Sequence, residues 1–553
     1  MKFINLLMFL VLFSFNLFAD THIISEEQSN AINKIFIDWD KDNTPGCGLG
    51  VIKDGELIYA RGYGMANLEY GIKNNSQSVF RIGSTSKQFT AASIVLLAEK
   101  GKLSLDDSLN KFFPNFPAYA KNITIRHLLN HTSGIRDYLT LAYLKGLQDD
   151  DYYTDKDVMH WLINQTELNF APGEEFLYSN SGYWLLGRVV NQAAEMNMAE
   201  FAMKEIFSPL GMNDTHFHND HTQIVKNRAS GYMPKGEKEY QISMTTLDMI
   251  GDGGIFTSIQ DIKKWDDAYY RSKVLSKKFW EMMTQQGKLN NNEELEYASG
   301  LSIKNYKGLK TVSHGGAFVG FRAELLRFPE HKFSVAIFTN RGDANPTSMA
   351  YKVADVFLSD QFVVEKKAEK EGQQVSNNDE FSYDQLVGTY ELKSGLEFTV
   401  SVEEQKLHVK QHWNNNEYNL IKMSNNTYHI EKAPEVKFTF KELKNNLTQN
   451  ITIDQAGRIT ESKRKKKIDL SGIVFDDFVG DYYSKELDVT YKVYLEGGML
   501  KTKIRNNDPI ELTPSNKDLF NYQGNLLKFS RNNGIVNEFV LDAGRVKNLK
   551  FSK

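Results

Sequence analysis

Residues 80–102 read FRIGSTSKQFTAASIVLLAEKGK, and no other stretch limits the fold so sharply. A helix that opens at this Gly-Ser entry is apolar almost all round, through Phe89, Ala91, Ala92, Ile94, Val95, Leu96 and Leu97. Such a helix must be covered on every side, so it demands further layers of structure around it. Ser84 stands in its first turn and Lys87 three residues on, so hydroxyl and amine project from one face. That pairing suggests an activated serine, because a serine is a poor nucleophile until a neighbouring base takes its proton. A lysine serves as base only where its pKa is depressed, which desolvation and the positive end of a helix both favour. The N–H of Ser84 would point at an oxyanion formed there. Ser-x-x-Lys also occurs at Ser108–Lys111 and Ser462–Lys465, both read as chance, so this copy takes its weight from its surroundings.

The chain's 553 residues suffice for two or three domains. Residues 1–19, MKFINLLMFLVLFSFNLFA, are read as a secretory signal peptide cut after Ala19, which makes the protein exported, either periplasmic or secreted. The bulky Leu17 leaves retention as an N-terminal anchor as the alternative. No other stretch is long and apolar enough to span a bilayer, so no membrane span is expected after cleavage. A net charge of −4 gives no basis for a nucleic-acid partner. Cys47 is the single cysteine, so no intramolecular disulfide is expected; between Gly46 and Gly48 it reads as a small buried hydrophobe.

Residues 20–360 form the first domain. An amphipathic helix is expected over 24–40, then two β-rich runs joined at Lys53-Asp54-Gly55-Glu56, where Asp-Gly signals a type I′ hairpin. The region to about residue 250 is mostly helical. Strands return in KTVSHGGAFVGFRAELLRFPEHKFSVAIFTN (310–340), and a helix over 346–358 closes the unit. Strands at both ends with helices between imply an α/β (α+β) domain, its sheet built from both termini around a helical insertion. Residues 361–380 lose apolar periodicity and read as a linker. DQLVGTYEL (384–392) and DDFVGDYYS (476–484) are a repeat, each opening about eight short alternating segments. Two small antiparallel eight-stranded β-barrels are expected, at 381–470 and 471–553. The basic run 463–467 between them reads as a solvated turn.

Two further pieces carry chemistry. Tyr178-Ser179-Asn180 precedes a helix; the phenol can relay a proton to a leaving group, and the Asn180 amide can hold Lys87 and a substrate carbonyl together. His314-Gly315-Gly316 opens a strand, where glycine lets a ligand approach the backbone closely, and the N–H of Ala317 is a second candidate oxyanion donor. Core tyrosine with a helix cap, and hairpin entry with a surface histidine, are the plain structural alternatives. There is no metal-ligand spacing and no phosphate-binding glycine loop, so no cofactor and no metal are expected.

FRIGSTSKQFT, ITIRHLLNHTSGI, PGEEFLYSNSGYWLLG, GDGGIFTSIQDIKKW and SHGGAFVGF follow one another within residues 25–355. In these the chain resembles the serine β-lactamase and penicillin-binding-protein superfamily, in the branch of class C β-lactamases, DD-peptidases, D-aminopeptidases and related esterases. The resemblance implies a β-lactamase-like catalytic domain with Ser84 as nucleophile, Lys87 as its base partner, Tyr178 as proton relay and Asn180 as orienting amide. It also implies an acyl-enzyme on Ser84. Where β-lactamases and DD-peptidases usually carry Lys-Thr-Gly, this chain has His314-Gly315-Gly316. A neutral imidazole brings less positive charge, which disfavours carboxylate-bearing substrates and makes the motif similar to that of D-aminopeptidases and esterases. D-aminopeptidases of this branch also look similar in ending with two eight-stranded, lipocalin-like barrels. The expected activity is hydrolysis of a small peptide, amide or ester. A β-lactamase or DD-peptidase is the alternative within the family, and a non-catalytic binding or sensor protein the alternative outside it.

Overall fold

The computed structural model describes residues 24–148, 151–236, 239–363, 380–392, 396–412, 416–455, 458–465, 470 and 472–553. The expected signal segment and most of the expected linker lie outside these residues, as do Lys466 and Lys467 of the basic run. The described residues fall into two compact units. One takes in the chain up to Ser104 with 186–287 and from 294 to 363; the other takes in 105–185, 288–293 and everything from 380 onward.

In the first unit, α1 (Glu26–Phe36) starts from a capping box in which Ser25 and Gln28 each accept the other's backbone N–H. β1 (Cys47–Lys53) and β2 (Glu56–Tyr63) follow, with Asp54 and Gly55 at φ of 50° and 80°, the left-handed pair that a type I′ turn demands. α2 (Lys87–Glu99) is the apolar helix, buried at every residue from Lys87 to Leu97. It begins later than Ser84: a 3₁₀ turn, Gly83–Ser86, carries the serine, and the α-helix takes over at Lys87. After the part of α3 (Asn180–Ala194) from Leu186 onward, and α4 (Ile259–Arg271), come β3 (Ser302–Tyr306), β4 (Leu309–Phe318), β5 (Phe321–Phe328), β6 (Phe333–Thr339) and α5 (Pro346–Leu358).

These strands form one antiparallel sheet in the order β3-β4-β5-β6-β1-β2, with Cys47 opposite Thr339 where the early and late segments meet. The sheet is therefore built from both ends of the domain. β3 lies outside the expected strands; Ser-Ile-Lys-Asn-Tyr has too few apolar residues to signal one, and its pairing with β4 makes it a strand. On one face Ile32 and Phe36 of α1 and Met349, Ala350 and Val353 of α5 share a core with Leu49, Val51 and Ile337. Cys47 belongs to that core, and burial pushes its thiol well above the usual range. α4 packs against β1, β2 and β6. Its Asp266 accepts hydrogen bonds from Arg327 Nε of β5 (2.7 Å) and Ser334 Oγ of β6 (2.8 Å), with all three side chains buried.

In the second unit, eight strands between Gly388 and Arg464 close into a barrel as Tyr390 of the first pairs with Arg464 of the last. Tyr390, Phe398, Tyr428, Phe438 and Phe440 fill it. The basic run departs from the expected solvated turn. Lys463 and Arg464 end the barrel's last strand, and Arg464 donates to Val387 O (2.7 Å) and Tyr390 Oη (2.6 Å), satisfying acceptors beneath the barrel. The second tail element has nine strands instead of eight. Its two outermost strands, Ile510–Glu511 and Thr513–Asn516, are consecutive in the chain and part only at Leu512, ahead of Pro514, which has no N–H for a ladder. Read as one bent strand, they close this sheet as well. Arg136, wholly buried in the helical segment, donates to Glu486 Oε2 (2.6 Å) and to Lys547 O (2.8 Å) of this barrel.

Removing one partner of a buried ion pair leaves the other charge uncompensated. Asp266→Ala should cost about 3–5 kcal/mol of stability in urea denaturation, whereas a double change to Asp266→Leu with Arg327→Met should recover most of it.

Candidate active site

The 3₁₀ turn that carries Ser84 is held by its neighbours' backbones. Ile82 N donates to Ile255 O (3.0 Å), Ser86 Oγ accepts from Ile255 N (3.1 Å), and Thr85 Oγ1 donates to His314 O of β4 (3.1 Å). The last bond lays β4 along the turn. The contact has no room for side chains: a Cβ on Gly316 would stand 1.9 Å from Ile82 O, and one on Gly83 would stand 2.8 Å from Ala317 N. Gly83 also has φ of 50°, so glycine is required there on two counts. Ser84 itself is half-buried, and Ala317 N lies beside the residue before it.

Lys87 has no exposed surface, and its Nζ lies 3.2 Å from Ser84 Oγ. A second bond, 2.6 Å to Asp252 O, ties the amine to the Gly251–Gly254 turn, to which Thr90 Oγ1 is also bonded through Gly251 O (2.6 Å). His314 sits in the middle of β4 and not at its start, and it is buried. Its Nδ1 donates to Gly315 O (2.6 Å), so its Nε2 accepts from Tyr297 Oη at 2.9 Å. Burial and the charge of Lys87 push its pKa down to about 4. The imidazole is therefore neutral at ordinary pH.

Tyr178 and Asn180 belong to the second unit. Tyr178 is half-buried, its ring centroid 4.1 Å from that of His131, whose Nδ1 accepts from Ser179 N (3.1 Å). Asn180 is the first residue of α3, and its N–H donates to Asp137 Oδ2 at 2.6 Å. Asp137 caps the helix Tyr138–Leu144 with its other oxygen through Thr140 N. Thus His131 and Asp137 set the backbone on which the tyrosine and the amide stand.

Sequence reasoning placed Ser84, Lys87, His314, Gly316 and Ala317 on two distant segments, and in the first unit these segments meet. It missed Tyr297, the Asp252 carbonyl, His131 and Asp137. The last two lie in or beside ITIRHLLNHTSGI, a stretch singled out for its pattern and not for its side chains. Asp252 lies in GDGGIFTSIQDIKKW, another stretch singled out for its pattern, but acts through a backbone carbonyl, and Tyr297 carries no motif of its own. Among the described residues no three His, Cys, Asp or Glu side chains are gathered to hold a metal.

Residues 32–357 match the Beta-lactamase family model. Penicillin-binding protein 4* of Bacillus subtilis (strain 168) is 31% identical over 374 residues, covering 64% of this chain and 81% of that protein. A D-aminopeptidase of Gluconobacter oxydans (strain 621H) is 25% identical over 310 residues, 56% of this chain; the match spans 58% of the aminopeptidase's length. Among solved structures, the octameric penicillin-binding protein homologue from Pyrococcus abyssi superposes with a TM-score of 0.55 at 25% identity, over 79% of this chain and 99% of that one. A D-amino acid amidase from Ochrobactrum anthropi SV3 shares the fold, with a TM-score of 0.52 at 23% identity over 61% of this chain and 99% of its own.

The depressed pKa of His314 has a stability consequence. An unfolded histidine takes up its proton near 6.5, whereas the folded one resists to about 4. Between those values the unfolded chain binds the extra proton, so the stability that His314 contributes is whole above 6.5 and drains away as pH falls toward 4. Between pH 7 and 4.5, urea titration should show wild type losing about 2–3 kcal/mol more than His314→Gln.

Proposed function

The chain belongs to the β-lactamase and penicillin-binding-protein superfamily of serine hydrolases, and from that premise we propose that it cleaves amides or esters through an acyl-enzyme on Ser84. The observation that carries this reading is the wholly buried Lys87 amine, 3.2 Å from the Ser84 hydroxyl and tied to the Asp252 carbonyl.

In the proposed reaction Ser84 Oγ attacks the substrate carbonyl carbon while its proton passes to the Lys87 amine. The carbonyl oxygen becomes an oxyanion that accepts hydrogen bonds from the N–H groups of Ser84 and Ala317, one such donor being worth about 3 kcal/mol. Tyr178 relays that proton from Lys87 to the departing amine or alkoxide as the C–N or C–O bond breaks, which leaves an ester on Ser84 and frees the base again. Water then adds to that ester and gives its proton to the same base. The carboxylic acid leaves, and Ser84 regains its hydrogen. Asn180 orients the lysine and the substrate carbonyl, and the glycine at 316 admits the substrate to the edge of β4. Peptide-like amides with a D-residue or a small acyl group are the leading substrate class, with simple esters next. The likeness to a D-aminopeptidase and the pair of tail barrels support the first.

Ser84→Ala should lower turnover of 4-nitrophenyl acetate and of D-alanine 4-nitroanilide by at least about 1,000-fold, with an unchanged circular dichroism spectrum. Activity surviving in that variant rules out the acyl-enzyme. A fluorophosphonate should add one covalent mass to the wild-type peptide that contains Ser84; absence of any adduct favours the binding-protein alternative.

A further inference from the structure

We infer that Arg545 is a substrate-recognition residue that selects a carboxylate on the substrate, an inference that rests on the proposed role of Tyr178. Arg545 lies in the turn between the last two strands of the second barrel, Ile535–Ala543 and Val546–Ser552. That turn is bolted to the helical segment by backbone and by other side chains. Arg545 O accepts from Asn169 Nδ2 (3.0 Å) and Asp137 N (3.3 Å), Lys547 N donates to Asn169 Oδ1 (2.7 Å), and the buried Arg136 donates to Lys547 O (2.8 Å) and Asn548 O (3.2 Å). None of these bonds uses the Arg545 guanidinium. The side chain is therefore presented by the turn and not required to hold it.

What it is presented to is the tyrosine. Arg545 Cζ lies 4.8 Å from the centroid of the Tyr178 ring, the same ring that His131 stacks against. The Arg545 side chain is 43% exposed, and its ion-pair partner, Asp137 Oδ2, is 3.9 Å away, beyond hydrogen-bond reach. That oxygen is already committed to Asn180 N at 2.6 Å. Its neighbours differ: Lys547 pairs with Glu175 at 2.9 Å, and Arg136 pairs with Glu486 at 2.6 Å. Among the described residues the Arg545 guanidinium makes no hydrogen bond, so its planar fork of donors is uncommitted beside a proposed catalytic ring. A carboxylate matches that fork in shape and charge, through two parallel N–H···O bonds.

The expectation that carboxylate-bearing substrates are disfavoured weighed His314 alone. His314 is indeed neutral above about pH 4 and offers an anion nothing. On this inference a carboxylate would be met by Arg545 and not by residue 314, so the two readings predict opposite substrate preferences.

The test compares two matched pairs of esters on wild type, Arg545→Gln and Arg545→Lys. Mono-4-nitrophenyl adipate against 4-nitrophenyl hexanoate varies charge on the acyl side, and 4-acetoxybenzoate against 4-acetoxybenzamide varies it on the leaving side. Arg545→Gln should lower the charged-to-neutral ratio of kcat/KM in one pair by about 10- to 100-fold, through KM, and Arg545→Lys should restore part of it. An unchanged ratio in both pairs overturns the inference. So does an equal loss on charged and neutral esters with a displaced pH profile, since the guanidinium would then act on Tyr178 alone. Failure of the hydrolase reading is seen separately, as no turnover and no fluorophosphonate adduct. In that event, calorimetric titration of adipate into the Ser84→Ala protein, with and without Arg545→Gln, decides the matter: weaker binding in the double variant upholds the inference, and absence of binding to either overturns it.

Discussion

The whole arrangement around Ser84 depends on two backbones touching where side chains would keep them apart. Gly316 on β4 and Gly83 in the serine turn are the residues that permit it, one by lacking a Cβ that would meet Ile82 O at 1.9 Å, the other by lacking one that would meet Ala317 N at 2.8 Å. Thr85 then spans the seam through its hydroxyl to His314 O. With the seam closed, the amide of Ala317 is brought beside the serine turn by the sheet itself. A larger residue at either position would part the two, and no side-chain adjustment could bring them together again.

The second requirement is that α2 be rigid without leaving polar groups stranded. A helix buried along its length keeps few polar side chains, and each must be paired because an unmet donor or acceptor there costs more than a bond returns. The pairing is thorough. Gln88 Nε2 donates to Thr85 O (3.0 Å) while its Oε1 accepts from Trp265 Nε1 (2.6 Å), Ser93 Oγ returns to Phe89 O (2.9 Å), and Thr90 Oγ1 bonds Gly251 O (2.6 Å). Lys87 is part of this set. Its bond to Asp252 O helps to aim the amine, so the lysine beside Ser84 is oriented by the same rule that lets the helix be buried.

What could be read from the sequence is what short-range physics writes there. Asp54-Gly55 announces a left-handed turn wherever it occurs between β-rich runs, and the helix at Pro346–Leu358 lies where its apolar pattern puts it. Ser84 and Lys87 were legible because three residues of helix bring them to one face. The alternation of the tail forecast its sheets, though a bend at Leu512 leaves nine strands where about eight were expected. The illegible parts are those whose partners are remote or anonymous. Tyr297 matters through its bond to His314 Nε2, and Asp252 through a carbonyl that any residue would provide. Arg545 is a turn residue in a distant barrel, with nothing in its neighbours to mark it. The central position of His314 in β4 was hidden because two following glycines suggest the start of a strand more than its middle.

The second barrel is no detachable appendage to the segment that carries Tyr178. Arg136 is wholly buried and Glu486 nearly so, and each is satisfied chiefly by the other side of the join: the guanidinium by Glu486 Oε2 and two barrel carbonyls, the carboxylate by Arg136 and Thr166 N. Two buried charges of this kind gain little over an apolar pair when both are present, but either one alone is expensive. The join therefore adds less to total stability than it does to the exclusion of half-assembled states, since undocking the barrel strands both ions at once. Arg136 is also adjacent in sequence to Asp137, which fixes Asn180 N, and its own carbonyl accepts from Ser181 Oγ at 2.7 Å. The backbone that sets the start of α3 is thus continuous with the backbone that grips the barrel. Tyr178 and Asn180 are held as firmly as that grip allows, which gives the tail a physical part in placing them.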